Sequence, residues 1–407
     1  MKNKKAVIVV AGHTCLDVIP TLPEGLKDLT AVLAPGQMLN VGPMVVSTGG
    51  SVSNTGLALH RLGTPVRLVG KLGGDVIGRV TMDMFRRYDP SLSAYMVVAE
   101  EERSSYTAIL SAPNVDRTFM HYSGPNDTFC TADIPDSALK GAVIFHFGYP
   151  SLMRRMYEDE GRELARMMRH VRQYGLVTSL DISLPDPTTE SGQADWRAIL
   201  ARTLPYTDVF LPNVEEALFM LDRDSYERAK TDEMKTVWAD ANKLEQLAKE
   251  MVHMGAAVVV IKLGSDGLFL RTTSERAQIT HLSSVLPIDK AVWVNRQLAT
   301  PTFQVNLVGT TGAGDCAVAG FLTAMFDGLS AEDALVSSAA VGACNVEAMD
   351  AISGIPSWDV VQQRIQDGWT RLGSNLQLPG WVWESSKGIW MGPVDRGGYI
   401  TRTDVSA

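Results

Sequence analysis

Gly309-Thr310-Thr311-Gly312-Ala313-Gly314-Asp315 runs straight into the apolar stretch 316–326, and this junction decides how the chain is read. A glycine-rich turn that opens a helix aims free backbone N–H groups and the positive end of the helix dipole at one point, so an anion such as a phosphoryl group is expected there. Asp315 closes the turn. A carboxylate beside an anion repels it unless the carboxylate acts on a neighbouring hydroxyl, which makes Asp315 a candidate general base. The other reading is a helix N-terminal charge that complements the dipole.

Working outward from the turn, short β-branched runs recur at 6–11, 143–147, 176–182, 208–211 and 256–263. Stretches of helical spacing lie between most of them, at 54–62, 160–173, 214–221, 239–254, 314–326 and 331–347. Strands alternating with helices predict an α/β fold with a parallel sheet covered by helices. Two regions break the pattern, 17–47 and 93–123, with strand-like pieces at 95–98, 106–110 and 118–122. They either pair into a small sheet over the active face, excluding water from the reaction, or are ordinary edge strands.

The chain has 407 residues, more than the roughly 150 of one average domain, so one large α/β domain over 1–370 with an extension at 371–407 is expected. That extension carries Trp381, Trp383 and Trp390 and should pack on the body or on a neighbouring subunit. A net charge of −9 argues against general nucleic-acid binding, which needs clustered Lys and Arg. Cys15, Cys130, Cys316 and Cys344 form no C-x-x-C pair, so reduced thiols in a cytoplasmic protein fit better than a zinc or disulfide framework. The apolar run at 6–11 is too short for a signal sequence or a membrane span, and no membrane partner is expected.

Other segments supply polar groups. Gly49, Gly50 and Asn54 precede or open a helix, where paired glycines let backbone approach a ligand and Asn54 offers a donor and an acceptor. Asp17 lies beyond the first strand, where a carboxylate can accept from two substrate hydroxyls, as ligands of open α/β sheets sit past the strands' carboxyl ends. Asn213 and Glu216 follow a short strand about one helical turn apart, a spacing that suits either a hydrated Mg²⁺ or a capping box, or both. Lys262, Gly264 and Gly267 close an apolar strand and either wall a nucleotide or form a tight hairpin. In the 339–347 stretch, Asn345 is the residue expected to border an adenine. No Walker lysine follows the glycines of 73–79, no G-x-G-x-x-G opens the first βα unit, and no G-x-S-x-G occurs. His13, His121, His146 and His281 lack metal-ligand spacing and are expected to be structural or surface residues.

Taken together and in order, Gly49-Gly50 with Asn54, Asn213 with Glu216, Lys262-Leu263-Gly264 with Gly267, and the 309–315 turn resemble the PfkB (ribokinase-like) carbohydrate kinase family over roughly residues 5–365. The resemblance implies a three-layer α/β/α sandwich with a mostly parallel central sheet and a small β-sheet lid, often a homodimer through the lid. It implies an ATP- and Mg²⁺-dependent kinase acting on a small sugar or nucleoside. Asp315 would be the base and Gly312, Ala313 and Gly314 the anion hole. Asp17, Gly49, Gly50 and Asn54 would bind substrate, and Asn213, Glu216, Lys262, Gly264, Gly267, Thr310 and Asn345 would serve the nucleotide, with Glu216 on Mg²⁺ through water. Three departures stand out. Gly309 replaces the Asp that a monovalent-cation site would use, Ala317 replaces a usual Phe, and Ser183 and Pro185 replace the Asn and Arg of many sugar-specific members. The first two keep open a non-catalytic sugar or nucleotide sensor.

Overall fold

The computed structural model describes residues 6–23, 36, 38–110, 118–229 and 238–395. In chain order its strands are β1 (Val7–Gly12), β2 (Cys15–Pro20), β3 (Met44–Gly49), β4 (Val66–Val69), β5 (Lys71–Gly73), β6 (Val97–Ala99), β7 (Tyr106–Leu110) and β8 (Thr118–Tyr122). They continue with β9 (Ala142–Gly148), β10 (Val177–Asp181), β11 (Val209–Phe210), β12 (Val258–Lys262), β13 (Leu268–Thr272), β14 (Gln297–Thr300), β15 (Val382–Glu384) and β16 (Ile389–Met391).

Ten of these form one sheet in the order β15-β16-β14-β13-β12-β11-β10-β9-β1-β4. From β4 to β12 every pairing is parallel, and from β12 to β15 every pairing is antiparallel. The parallel part is apolar throughout because helices cover both faces; all six residues of β1 are buried. Alternation along β1 then divides the core. Ile8 and Val10 pack with Val318, Leu322 and Leu335 of the helices Ala313–Phe326 and Ala331–Asn345. Val9 and Ala11 pack with Leu164 and Leu247 of the helices Arg162–Gln173 and Ala241–His253. The result is a sheet covered by helices, as the alternation of runs predicts, in the three-layer α/β/α sandwich that the resemblance implies.

A second sheet, in the order β3-β2-β7-β8, is the small lid. Two of the three lid pieces expected within 93–123 belong to it, and residues 24–35, 37 and 111–117 of the expected lid regions lie outside the described residues. The piece at 95–98 does not. It falls at β6, which pairs parallel with β5 in a separate two-stranded sheet. Gly73 and Asp75 hold it there. Gly73 has no side chain to collide with the Glu102 carbonyl, 2.3 Å from where a Cβ would stand. The Asp75 carboxylate accepts from Ser104 Oγ at 2.6 Å and Ser104 N at 3.0 Å.

The Trp-rich segment extends the central sheet: β16 pairs with β14, and Trp381 packs its ring 5.6 Å from that of Phe269. Trp381 thus packs on the body, while Trp383 of the same segment is 38% exposed. Among the described residues no helix is long and apolar enough to cross a membrane.

Candidate active site

The parallel strands deliver polar residues to one edge of the sheet. Gly12, Gly148, Asp181 and Lys262 end β1, β9, β10 and β12, while Tyr149 and Asn213 follow β9 and β11. Lys262 pairs with Asn213 in an isolated parallel bridge. This is the position beyond the strand carboxyl ends where ligands of open α/β sheets bind.

The glycine-rich turn arrives over that edge. Gly312 is the N-cap of the helix Ala313–Phe326 at φ 76°, and no side chain caps that helix start. Ala351 lies so close that a Cβ on Gly312 would stand 2.7 Å from its methyl. Positive φ and close packing together require glycine. The first-turn N–H groups have no intrahelical acceptor; that of Ala313 leans back to the Thr310 carbonyl at 3.3 Å. Lys262 brings its Nζ to 3.8 Å from the Cβ position of Gly314, so an ammonium stands beside the turn. At Gly309 a side chain would meet the Ala348 and Met349 carbonyl oxygens at 2.9 and 3.0 Å, which excludes a carboxylate from this turn as it is built.

Asp315 is 3% exposed and faces three donors. Tyr149 Oη donates to Oδ2 at 2.7 Å, Asn54 Nδ2 to Oδ2 at 3.0 Å, and Thr55 Oγ1 to Oδ1 at 3.4 Å. Burial pushes its pKa above the ordinary carboxylate value, and these donors with the Lys262 charge oppose that push. Tyr149 and Thr55 were not foreseen from the sequence. The signal for Tyr149 was its place two residues past the expected strand at 143–147. Burial and the Asp315 charge hold the Tyr149 phenol well above its ordinary pKa, so it stays a donor.

Next to Asp315 is a dense charge cluster. Lys262 Nζ binds Asp181 Oδ1 at 2.6 Å, with the two side chains 11% and 1% exposed. Asn213 and Glu216 form a full capping box: Asn213 Oδ1 accepts from Glu216 N at 2.8 Å, while Glu216 Oε2 and Oε1 accept from Asn213 N and Nδ2 at 2.7 and 2.8 Å. Burial pushes Glu216 up to about 8, with Lys262 pulling back and Asp181 adding to the rise. Burial likewise lifts Asp181 to about 6, against the pull of Lys262. Burial would lower the Lys262 ammonium, but Asp181 and Glu216 together outweigh it and leave it above its ordinary value. Three buried carboxylates thus share one ammonium. The excess negative charge fits a divalent cation with oxygen ligands, and neither Asp181 nor the sharing of Lys262 was anticipated.

A cavity of about 510 Å³ opens on the other side of the turn. Gly264, Gly267 and Thr310 line it together with Gly314 and Lys262. Gly267 sits at φ 100°, and a Cβ there would be 1.9 Å from the Thr300 carbonyl oxygen. Ala317 also lines the cavity, so the missing aromatic leaves open space there. The expectation for Asn345 is not met. Ala339, Gly342, Ala343 and Val346 present the helix face that borders the cavity, whereas Asn345 is fully buried and donates Nδ2 to the Ala351 carbonyl at 2.7 Å. Helical phase explains it: positions three, four and seven residues on from 339 share a face, and 345 does not.

On the lid side Asp17 lies in β2, its carboxyl raised above the ordinary range by burial against hydrogen bonds from Cys15 and Thr107. A Cβ on Gly49 would be 2.3 Å from Asp17 Oδ2, and one on Gly50, at φ 85°, would be 2.5 Å from the His13 carbonyl oxygen. These two glycines therefore make room for Asp17 and His13. Asn54 instead connects this side to Asp315 through its amide.

Residues 5–358 match the model described as pfkB family carbohydrate kinase. An uncharacterized sugar kinase of Archaeoglobus fulgidus is 27% identical over 301 residues, covering 74% of this chain and 98% of that protein. Fructokinase-2 of Oryza sativa subsp. japonica is 24% identical over 358 residues, covering 86% of this chain and 94% of its own. Among solved structures, a putative ribokinase II from E. coli in complex with ATP and Mg²⁺ matches with a TM-score of 0.63 at 18% identity, over 89% of this chain and 99% of that one. At that identity the likeness speaks for the fold.

Proposed function

The chain belongs to the PfkB family of carbohydrate kinases, and we propose that it moves the γ-phosphoryl group of ATP to a hydroxyl of a small sugar or sugar-like alcohol with Asp315 as general base. The observation that carries this reading is the position of Asp315: a buried carboxylate in the first turn of an uncapped helix whose preceding residues, Ala313 and Gly314, line the cavity of about 510 Å³.

In this reading Asp315 Oδ takes the proton of the acceptor hydroxyl as its oxygen attacks phosphorus. Such transfers depend on positioning and charge stabilisation, with no covalent intermediate on the protein required. The N–H groups of Gly312, Ala313 and Gly314 and the Lys262 ammonium face the γ-phosphoryl oxygens. The adenine and ribose lie in the cavity between Gly264, Gly267, Thr310 and Gly342. Glu216, oriented by Asn213, and Asp181 are the groups that would hold Mg²⁺, Glu216 through water. When bound, that ion neutralises charge on the β and γ oxygens. Asp17, for which Gly49 makes room, accepts from substrate hydroxyls, and the lid excludes water that would hydrolyse the donor.

The outer lid exposes Met44 (59%), Val45 (56%) and Phe119 (59%), an apolar surface that suits a homodimer through the lid. Sedimentation velocity of wild type against Phe119→Lys measures this directly.

The reading is tested by following ADP release with Mg·ATP and a panel of sugars, sugar acids and nucleosides. Turnover with sugars that is lost in Asp315→Asn supports it. Turnover with nucleosides alone reassigns the acceptor, and ligand binding without turnover makes the chain a sensor.

A further inference from the structure

His13, Cys15 and His121 come from three places in the chain: the turn after β1, the first residue of β2, and the lid strand β8. The sequence gives no metal-ligand spacing for them, yet one ligand atom from each lies within 4.8 Å of the others. The two imidazoles face each other through Nε2 atoms 3.2 Å apart. Two nitrogens at ~2.0–2.1 Å from one tetrahedral ion stand about 3.3 Å apart, so this contact, an imidazole–imidazole hydrogen bond in the metal-free chain, already has the spacing that a shared cation needs. His121 Nδ1 is 3.0 Å from Thr107 Oγ1, an outer partner that fixes the ring and leaves Nε2 for a ligand. His13 is 2% exposed and Cys15 3%. His13 Nδ1 has no hydrogen-bond partner.

We propose that His13, Cys15 and His121 form a binding site for a borderline-soft divalent cation of the Zn²⁺ class, separate from the Mg²⁺ position at Glu216. Two imidazole nitrogens and a thiolate suit Zn²⁺ and select against Mg²⁺, which takes oxygen ligands. The fourth position is left for a water or for the Asp17 carboxylate, whose Oδ1 is 3.3 Å from the Cys15 sulfur. Binding releases the thiol proton to solvent and forms the metal–sulfur bond. Because His121 belongs to the lid and His13 and Cys15 to its root, the ion ties β8 down over the substrate side.

The test uses the full chain freed of metal by chelator, titrated with Co²⁺ and then Zn²⁺. One equivalent of Co²⁺ should give a near-ultraviolet thiolate-to-metal band with tetrahedral visible bands, displaced by Zn²⁺. Cys15→Ser should abolish the near-ultraviolet band. His121→Gln lies on a strand whose residues are all exposed, which guards against a failure of Cys15→Ser to fold. It should weaken Zn²⁺ by roughly 100-fold or more, and Thr107→Val by about 10–100-fold with the thiolate band kept. No thiolate band at one equivalent, or Zn²⁺ affinity unchanged in both His121→Gln and Thr107→Val, overturns the proposal.

Discussion

Tyr149 donates its hydroxyl to Asp315 Oδ2 at 2.7 Å from a backbone held at φ 65°. A non-glycine residue in the left-handed region costs on the order of 1–3 kcal/mol, and such strain persists where the surroundings enforce it. Here β9 enforces it: the chain leaves the strand at Gly148, and Tyr149 N bonds back to the Asp181 carbonyl at 3.2 Å. The turn swings the phenol over the carboxylate 166 positions away in the chain. Tyr149 thus acts through Asp315, as a positioning residue.

Tyr149→Phe removes a hydrogen bond that favours the ionised form of Asp315, whose pKa burial already raises. The carboxyl should therefore protonate at higher pH than in wild type. Since the base must be ionised, the acid limb of the kcat/KM profile should move to higher pH, with less change on the plateau. A limb that stays in place in Tyr149→Phe would show that this contact does not tune the base.

Asp315→Asn keeps the size of the side chain and removes its basicity. General-base catalysis typically contributes ~10²–10⁴-fold, so kcat should fall by that order while nucleotide affinity, measured by calorimetry, stays within a few-fold. Equal losses in kcat and in nucleotide affinity would instead give Asp315 a structural role.

Glu216 makes folding stability depend on pH with an uncommon sign for a carboxylate. Unfolded it titrates near ~4.3, folded at about 8, because burial penalises its charge. The folded state therefore binds the proton more tightly, and this contribution is fully present below the unfolded value and lost as pH rises through about 8. Asp181 and Asp315 are raised too and act in the same direction. The melting temperature of the cation-free protein should fall between about pH 5 and about pH 8.5, and Glu216→Gln should flatten that fall. An unchanged slope in the variant would contradict the assignment.

What could be read from the sequence follows from how local each feature is. The 309–315 turn was legible because positive φ at Gly312 and contact with Ala351 demand small residues in consecutive positions. The capping of Asn213 and Glu216 was legible for the same local reason, and the structure gives the full box. Tyr149 and His121 were not, because each meets its partner through the tertiary path and no spacing encodes it. Asn345 was misread because the run 339–347 is small and polar on several sides, and only packing fixes which side faces the cavity. Likewise β6 has strand-like residues, but Gly73 and Asp75, far upstream, decide which strand it joins.

Asn345 should prove structural. Its side chain secures the Ala351 carbonyl, and Ala351 in turn packs on Gly312. Removing a buried hydrogen-bonding group of this kind costs about 1–3 kcal/mol, so Asn345→Ala should lower the unfolding free energy measured by denaturant titration by that amount. At temperatures well below melting the KM for ATP should change little. A large rise in that KM without loss of stability would return Asn345 to the nucleotide site.

Gly342 offers the complementary case on the same helix. A Cβ there would rest 3.3 Å from the Ala313 carbonyl oxygen and 3.4 Å from the Ala317 methyl, and the residue faces the 510 Å³ cavity. A larger side chain has no room toward the helix Ala313–Phe326 and must project into the space proposed for the nucleotide. Filling a preformed site by several methylenes typically costs 1–3 kcal/mol, so Gly342→Leu should raise the KM for ATP by roughly 10-fold or more and leave the KM of the acceptor near its wild-type value. The acceptor is the internal control because Asp17 and Asn54 lie on the lid side of Asp315, away from this helix face. If the acceptor KM rises and the ATP KM does not, the two substrates have been assigned to the wrong sides of Asp315.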